Sequence, residues 1–242
     1  LRAMIGELMV DARPDRLGRF LGRSSAAGYR INLNLLGEAV LGDGEASRRA
    51  AATARLIATP GVDTVSVKVS SLVSNLSPWD HEGSVARAVD ALVPLLRTAS
   101  ANGAAVALDM EEYRHLAVTL DAFEAVALMP QLAGVRLTVA LQAYLPDVDD
   151  AVDRVVDLAR RRSELEGATD VKIRLVKGAN LAMEHVDAVL HGWAEPTYGS
   201  KPEVDAAYVR GLDRLLTDEG TAHTRVGVAG HNLYHLALAV LL

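Results

Sequence analysis

The run VKIRLVKGAN at residues 171–180 decides the fold, because it has the composition of a buried strand and a helical pattern precedes it. Its first six residues are mostly apolar or β-branched, as they are in strands inside a parallel sheet. The preceding pattern is VDDAVDRVVDLARRRSELEG, and the break EGATD then returns the chain to the sheet. The stretch therefore predicts a helix followed by a buried strand, which is typical of an α/β fold.

The same alternation extends along the rest of the chain and predicts a parallel sheet built from βαβ units. The six strand candidates are YRINLNLL (29–36), TVSVKVSSL (64–72), AAVALDM (104–110), VRLTVALQAYL (135–145), VKIRLVKGA (171–179) and RVGVAGH (225–231). The first 28 residues contain no strand candidate. We therefore expect a helical segment over residues 1–28 that packs outside the sheet, and one domain over residues 29–242.

The amino-acid composition of the chain excludes several classes of function. The 242 residues are 50% hydrophobic and 23% charged, which allows a sizeable core and is near the length of a (βα)8 barrel, roughly 250 residues. The net charge of −6 disfavours nucleic-acid binding by this segment. Cysteine is absent, which excludes disulfides and thiolate chemistry and favours a cytoplasmic setting. Neither a spanning apolar run nor a signal peptide is visible.

Polar residues follow or interrupt most strand candidates near their C-terminal ends. In a barrel these positions converge on one rim, where active sites are built. A charge within an apolar strand must also be paired or hydrogen-bonded. The convergence predicts an enzyme, and the residues concerned are Asn34, Gly37, Glu38, Lys68, Ser70, Ser71, Asp109, Glu111, Glu112, Gln142, Tyr144, Arg174, Lys177, Gly178, His231 and Asn232.

Structural roles for the same residues stay open at this point. Asp109 could begin a solvated helix, Lys68 could point to solvent from an edge strand, and Arg174 could be a structural ion-pair partner. His231 and His235 have a spacing that can bind zinc. An isolated pair without a third local ligand is more often structural or in contact with a cofactor, so we predict no metal site.

Six blocks in this order resemble the proline dehydrogenase domain, especially that of bifunctional proline-catabolic flavoenzymes. The blocks are NLLGEA (34–39), VSVKVSSL (65–72), ALDMEEYRHL (107–116), VALQAYL (139–145), IRLVKGAN (173–180) and AGHN (229–232). The resemblance implies a distorted (βα)8 TIM-like barrel that holds FAD without a GxGxxG motif. It also implies oxidation of L-proline to pyrroline-5-carboxylate by hydride transfer to the flavin, the first step of proline catabolism.

The resemblance also implies roles for single residues. Lys68, Asp109 and Arg174 take the catalytic positions, with Lys68 at the substrate carboxylate and the flavin, and with Asp109 holding the charged network in place and orienting Lys68. Glu38 corresponds to a gate residue that pairs with an arginine of the final helix when the site closes. The cofactor-binding positions are Gln142, Arg174, Lys177, Gly178, Ala179, His231 and Asn232.

The family barrel has eight strands, so we expect a chain with about six βα units to be incomplete at the C-terminus, with two open edges and little activity by itself. The expected partners are L-proline, a quinone as electron acceptor, and a fused or separate pyrroline-5-carboxylate dehydrogenase domain. The expected location is cytoplasmic or peripheral at the inner face of the membrane.

Three alternatives remain. A Schiff-base barrel enzyme would use Lys68 or Lys177 as nucleophile. A metal-dependent hydrolase would use Asp109, His231 and His235. A domain without catalytic activity would bind a partner chain.

Overall fold

The computed structural model describes residues 9–35 and 40–242 and shows a parallel six-stranded sheet whose strands follow one another in chain order. This confirms the predicted α/β fold with six strands alternating with helices. The strands are β1 (Asn32–Asn34), β2 (Thr64–Val67), β3 (Ala105–Leu108), β4 (Arg136–Gln142), β5 (Val171–Val176) and β6 (Thr224–Val228).

Helices connect the strands and cover the outer face of the sheet. Short 3-10 turns also occur at Tyr113–His115 and Pro130–Leu132. The α-helices are α1 (Pro14–Ala26), α2 (Asp43–Ile57), α3 (Val69–Leu72), α4 (His81–Asn102), α5 (Leu116–Ala127), α6 (Val148–Ser163), α7 (Leu181–His191), α8 (Lys201–Leu215), α9 (Asp218–Thr221) and α10 (Leu233–Leu241). None of these helices is both long and apolar enough to cross a membrane.

The two faces of the sheet differ in polarity because successive side chains of a strand point to opposite sides. On the helix-covered face, residues such as Val106, Leu141 and Ile173 are fully buried in the core. On the other face, the register aligns Ala140 with Arg174 and Lys172 with Arg225. The strands therefore alternate between an apolar outer face and a polar inner face, rather than being apolar throughout as predicted.

The inner face curves around an enclosed space. A cavity of about 540 Å³ lies toward the N-terminal ends of the strands, and all six strands contribute residues to its wall. A flat sheet could not bring β1 and β6 to the same cavity. The arrangement is therefore barrel-like, as predicted.

The second predicted strand ends earlier than the sequence indicates. The second candidate run, residues 64–72, leaves the sheet after Val67, and Val69–Leu72 forms the short helix α3. The Ser71 hydroxyl donates to the Lys68 carbonyl at 2.7 Å, a bond that competes with the sheet ladder. Lys68 is thereby placed at the end of the strand instead of within it.

The N-terminal helix α1 buries Leu17 and Leu21 against the hydrophobic core. The backbone of Gly61, which has φ +84°, approaches Leu21 in the turn before β2. The described part of the N-terminal segment thus begins with α1 and leads into β1 at Asn32. The boundary at residue 28 stays a prediction.

Candidate active site

A polar cavity of about 290 Å³ lies at the C-terminal ends of β2, β3, β4 and β5. It is the end of a parallel barrel at which loops and strand termini build active sites. Seven of the predicted site residues lie in its wall. The lining residues are Lys68, Asp109, Met110, Glu111, Ala140, Gln142, Arg174, Val176, Lys177, Gly178, Ala179 and Asn180.

Two ion pairs lie in this wall. The Arg174 guanidinium donates to Asp109 Oδ1 at 2.5 Å, and Lys68 Nζ donates to Glu111 Oε1 at 2.6 Å. All four side chains are less than a third exposed. Each charge in the strand ends is therefore compensated by a charge from another strand end, from β2 to β3 for Lys68 and across β4 for Arg174, as its position near an apolar core requires.

The pairing corrects one expectation about Asp109. The sequence reading had Asp109 orienting Lys68, but its carboxylate contacts Arg174 instead. Lys68 is held by Glu111, whose second oxygen accepts from the Ser70 hydroxyl. The physical reason lies in the turn after β3, which places the two carboxylates two residues apart, with Glu111 reaching the end of β2 and Asp109 reaching across β4 to β5.

The turn after β5 approaches Tyr144 closely. Gly178 has φ +129°, a conformation that L side chains rarely adopt, and a Cβ there would lie 2.6 Å from Cδ1 of Tyr144. The Tyr144 N–H donates to the Lys177 carbonyl at 2.7 Å, and the Asn180 amide donates to the Glu111 carbonyl at 2.8 Å. The turn is therefore fixed to the ends of β3 and β4.

Lys177 points from the cavity wall toward α8. Its ammonium donates to Asp205, which also pairs with Lys201. Hydrogen bonds from Lys177 and Lys201 lower the pKa of Asp205 to about 2. Lys177 also lies 5.7 Å from the centroid of the Tyr208 ring, within cation–π range.

His231 and Asn232 follow β6 but are absent from the lining of this cavity. The strand-end pattern predicts one cavity for Lys68, Asp109, Gln142, Arg174 and His231, and the structure brings the first four together without His231. His231 is exposed, whereas Asn232 caps α10 by accepting from the N–H groups of Tyr234 and His235 at 2.9 and 3.3 Å. The predicted gate residue, Glu38, lies outside the described residues.

The donor set of the cavity suits a flavin ring. Lys68 and Arg174 supply positive charge, and Gln142 supplies an amide that matches the mixed donors and acceptors of a flavin ring edge. Gly178 and Ala179 add a wall with little side-chain bulk. Among the described residues, no cluster of three or more His, Cys, Asp and Glu side chains could hold a metal ion.

Comparison with known proteins decides the family. The proline dehydrogenase family model matches residues 20–242.

This chain belongs to the proline dehydrogenase family.

Solved relatives of the family share the fold. The PutA (proline utilization A) structure from Corynebacterium freiburgense is 46% identical with a TM-score of 0.93, and the match covers 99% of this chain and 25% of that chain. The PutA of Bdellovibrio bacteriovorus, solved after inactivation by N-propargylglycine, is 29% identical with a TM-score of 0.85, covering 94% and 25%.

Curated relatives are larger proteins. The bifunctional protein PutA of Salmonella typhimurium is 28% identical over 232 residues, which is 87% of this chain and 17% of that protein. The human mitochondrial proline dehydrogenase 1 is 38% identical over 92 residues, 38% of this chain and 14% of that protein. The chain thus spans about a sixth of the curated PutA proteins that it matches and a quarter of the two solved PutA chains.

Several residues that shape this proline dehydrogenase site had no role in the sequence-based prediction. Glu111 and Tyr144 stood at predicted strand ends without an assigned partner. Glu184 and Asp205 lie in helices, where an acidic residue normally indicates a solvated face. No sequence signal marked Glu184, because its neighbours one turn away on the helix include the polar residues Asn180 and Asp187.

Proposed function

We propose that the protein oxidises L-proline to pyrroline-5-carboxylate, with FAD bound in the cavity at the C-terminal ends of the strands. The observation that carries the proposal is the cavity wall, where the pairs Arg174–Asp109 and Lys68–Glu111 lie together in a chain of the proline dehydrogenase family. FAD, when bound, would supply the acceptor for the hydride that leaves the ring CH2 next to nitrogen, which is the carbon without the carboxylate. The nitrogen loses a proton to solvent, and a C=N bond forms between it and that carbon.

The residues of the chain bind and align the reactants. Lys68 presents a fixed ammonium to a carboxylate substrate, because Glu111 holds it at 2.6 Å. Arg174 keeps positive charge at the cavity wall, and its planar guanidinium is orientated by Asp109. Such preorganised charge stabilises the charge distribution of a transition state without reorganisation during the reaction.

The partners follow from the same proposal. L-proline is the substrate and a quinone is the electron acceptor. The PutA relatives are described as bifunctional, which supports a pyrroline-5-carboxylate dehydrogenase activity as the consumer of the product. The nucleotide part of FAD would extend beyond the cavity toward the end of β6, where His231 and Asn232 lie.

The first experiment purifies the natural full-length protein and records its visible spectrum before and after anaerobic addition of L-proline. We expect a flavin spectrum that bleaches, and a product that o-aminobenzaldehyde traps as the pyrroline-5-carboxylate adduct. Inactivation by N-propargylglycine, as described for the Bdellovibrio relative, is expected as well. A protein without flavin, or a flavin that proline does not reduce, would overturn the proposal.

Neither alternative enzyme class is favoured by the cavity. Lys68 and Lys177 are each ion-paired with a carboxylate, whereas a Schiff-base lysine requires an apolar pocket or a neighbouring cation. His235 is likewise absent from the cavity that contains Asp109. The three ligands of a metal-dependent hydrolase therefore do not meet there.

A further inference from the structure

The amide of Gln142 is held in one orientation by two acceptors. Its Nε2 donates to the Glu111 backbone carbonyl at 3.4 Å and to Tyr144 Oη at 3.2 Å. A backbone carbonyl can only accept, so the atom beside it must be nitrogen. Both N–H groups are thereby used within the protein. The remaining polar atom of this cavity-lining side chain is Oε1, an acceptor.

Tyr144 stabilises this orientation of the amide because its hydroxyl oxygen accepts from Gln142 while its proton points to another group. Since Oη accepts from Gln142, its own proton is directed elsewhere, and Glu184 Oε1 lies 3.5 Å away. The same Glu184 oxygen accepts from the Tyr113 N–H at 2.7 Å, so the carboxylate is itself held from a second side. The order of donation therefore runs from Gln142 to Tyr144 to Glu184.

Burial of the three side chains favours one direction of hydrogen bonding over the other. Gln142, Tyr144 and Glu184 are 6%, 3% and 5% exposed, so water cannot replace a lost partner. Burial raises the pKa of both Glu184 and the Tyr144 phenol. Turning the Gln142 amide over would set its oxygen against the Glu111 carbonyl and leave the tyrosine hydroxyl with two acceptors to satisfy.

The same tyrosine also touches the turn after β5. Its ring lies against the backbone of Gly178, and the Gly178 conformation leaves no space for a side chain between them. Tyr144 cannot move away without displacing residues that line the cavity. The hydrogen bonds and the ring packing therefore restrain the same side chain.

We propose that Tyr144 and Glu184 are positioning residues that make Gln142 present its carbonyl oxygen to the cofactor, and so select the single ring N–H of an oxidised flavin. The inference rests on the proposed function, since it requires a flavin in this cavity. It goes further because it assigns the direction of one hydrogen bond and the residues that enforce it.

The test compares FAD with an analogue whose ring imide nitrogen carries a methyl group. Apoprotein is prepared from the natural full-length protein, and both dissociation constants are measured by fluorescence quenching. An unmodified protein is expected to bind the methylated cofactor at least about 10-fold more weakly, because a buried acceptor loses its donor. In Tyr144→Phe the amide loses the shorter of its two restraints and keeps only the contact with the Glu111 carbonyl at 3.4 Å, so it turns more easily, and we expect the ratio to fall to about threefold or less.

Two further variants separate positioning from structural damage. Glu184→Gln keeps an oxygen acceptor for Tyr113 and Tyr144, so it is expected to retain the selectivity of the unmodified protein. Tyr198→Phe removes a hydroxyl that contacts Arg210 away from the cavity, and it should also leave the ratio unchanged. A collapse of the ratio in either variant would contradict the proposed order of donation.

The outcomes distinguish this inference from the proposed function. A protein that binds no FAD overturns both. A protein that binds FAD and is reduced by proline, yet binds the methylated analogue equally well, overturns only the positioning of Gln142. The same holds if the Tyr144→Phe variant discriminates as strongly as the unmodified protein.

Discussion

Arg174 lies on the inner face of β5, where the register places it beside Ala140 of β4 and Gly227 of β6. Both neighbours lack bulk, so the long side chain can extend toward the cavity and reach Asp109. The strand pattern predicted that Arg174 lies in the sheet and requires a partner. It could not identify the partner, because that depends on which direction the turn after β3 takes.

Arg174→Met should lower the reduction potential of the bound flavin and slow proline oxidation by roughly 10²–10³-fold, since a preorganised charge at the cavity is lost. Spectroelectrochemical titration and steady-state turnover measure the two effects. Arg136→Met is the matched control, because Arg136 pairs with Asp63 at the opposite end of the strands. Equal potentials in all three proteins would remove Arg174 from the flavin environment.

Asp109→Ala should reduce turnover by about 10–100-fold while the flavin content stays near that of the unmodified protein, because its hydrogen bond orients Arg174. Asp109→Asn keeps an oxygen at this position and should lose less. Asp63→Ala breaks a comparable ion pair with Arg136 outside the cavity and is expected to leave turnover unchanged. Loss of flavin from a folded Asp109→Ala protein would instead place Asp109 at the cofactor.

The sequence pattern predicted the strands and most helices. It failed where a contact outside the helix determines which face of the helix is buried. All six strands were predicted, because their apolar residues pack under helices. Helix α7 shows the limit of the pattern. It exposes Met183, Val186 and Leu190 while it buries Glu184. Amphipathicity alone predicts the opposite face, and only the contacts of Glu184 with Tyr113 and Tyr144 explain the observed one.

A fully buried arginine fastens α6 to the segments around β4. Within residues 9–35 and 40–242, the Arg162 guanidinium has no carboxylate partner and donates to backbone carbonyls and one hydroxyl. Burial accordingly lowers the pKa of Arg162. The acceptors are the backbone carbonyls of Ala127, Leu132, Ala133, Val135 and Thr169, together with the Thr169 hydroxyl. One side chain thus donates hydrogen bonds to the buried backbone carbonyls in the connections that precede β4 and β5.

Arg162→Met should lower the free energy of unfolding by about 3 kcal/mol or more, since several buried carbonyls lose their donor at once. Urea denaturation followed by circular dichroism measures it. Arg160→Met is the control on the same helix, because Arg160 is exposed and pairs with Asp157 at the surface. That variant should stay within about 0.5 kcal/mol of the unmodified protein. Equal stabilities would show that water satisfies the carbonyls around Arg162.

At the scale of the molecule, the order of strands along the chain was enough to predict a parallel sheet, because sequential βαβ units place each new strand beside the previous one. The pattern could not predict which charges meet between helices that are far apart in sequence. An example joins α4, α5 and α6. His81 contacts Asp121 at 2.5 Å, and Arg154 contacts both Asp121 and Glu124, the latter at 2.7 Å.

These ion pairs should make the fold sensitive to acid. Burial acts to raise the pKa values of Asp121 and Glu124, but hydrogen bonds outweigh it, from His81 and Arg154 on Asp121 and from Arg154 and Arg161 on Glu124. Both pKa values therefore lie below the ordinary values of 3.8 and 4.5. A carboxyl group with a lowered pKa stabilises the fold above its unfolded value and loses that contribution as the pH falls through its folded value.

We therefore expect Arg154→Gln to cost about 1 kcal/mol at pH 7, a small effect because the side chains are partly exposed to solvent. The difference from the unmodified protein should shrink as the pH is lowered from 4.5 to 3, since protonation then removes the same interactions from both proteins. Urea midpoints measured across this range test the expectation. Arg55→Gln, an exposed change on α2, should show a small difference at every pH. The difference in urea midpoint between Arg154→Gln and the unmodified protein could instead stay constant or widen on acidification. That result would mean that the arginine stabilises the helices through packing of its aliphatic part, and not through its charge.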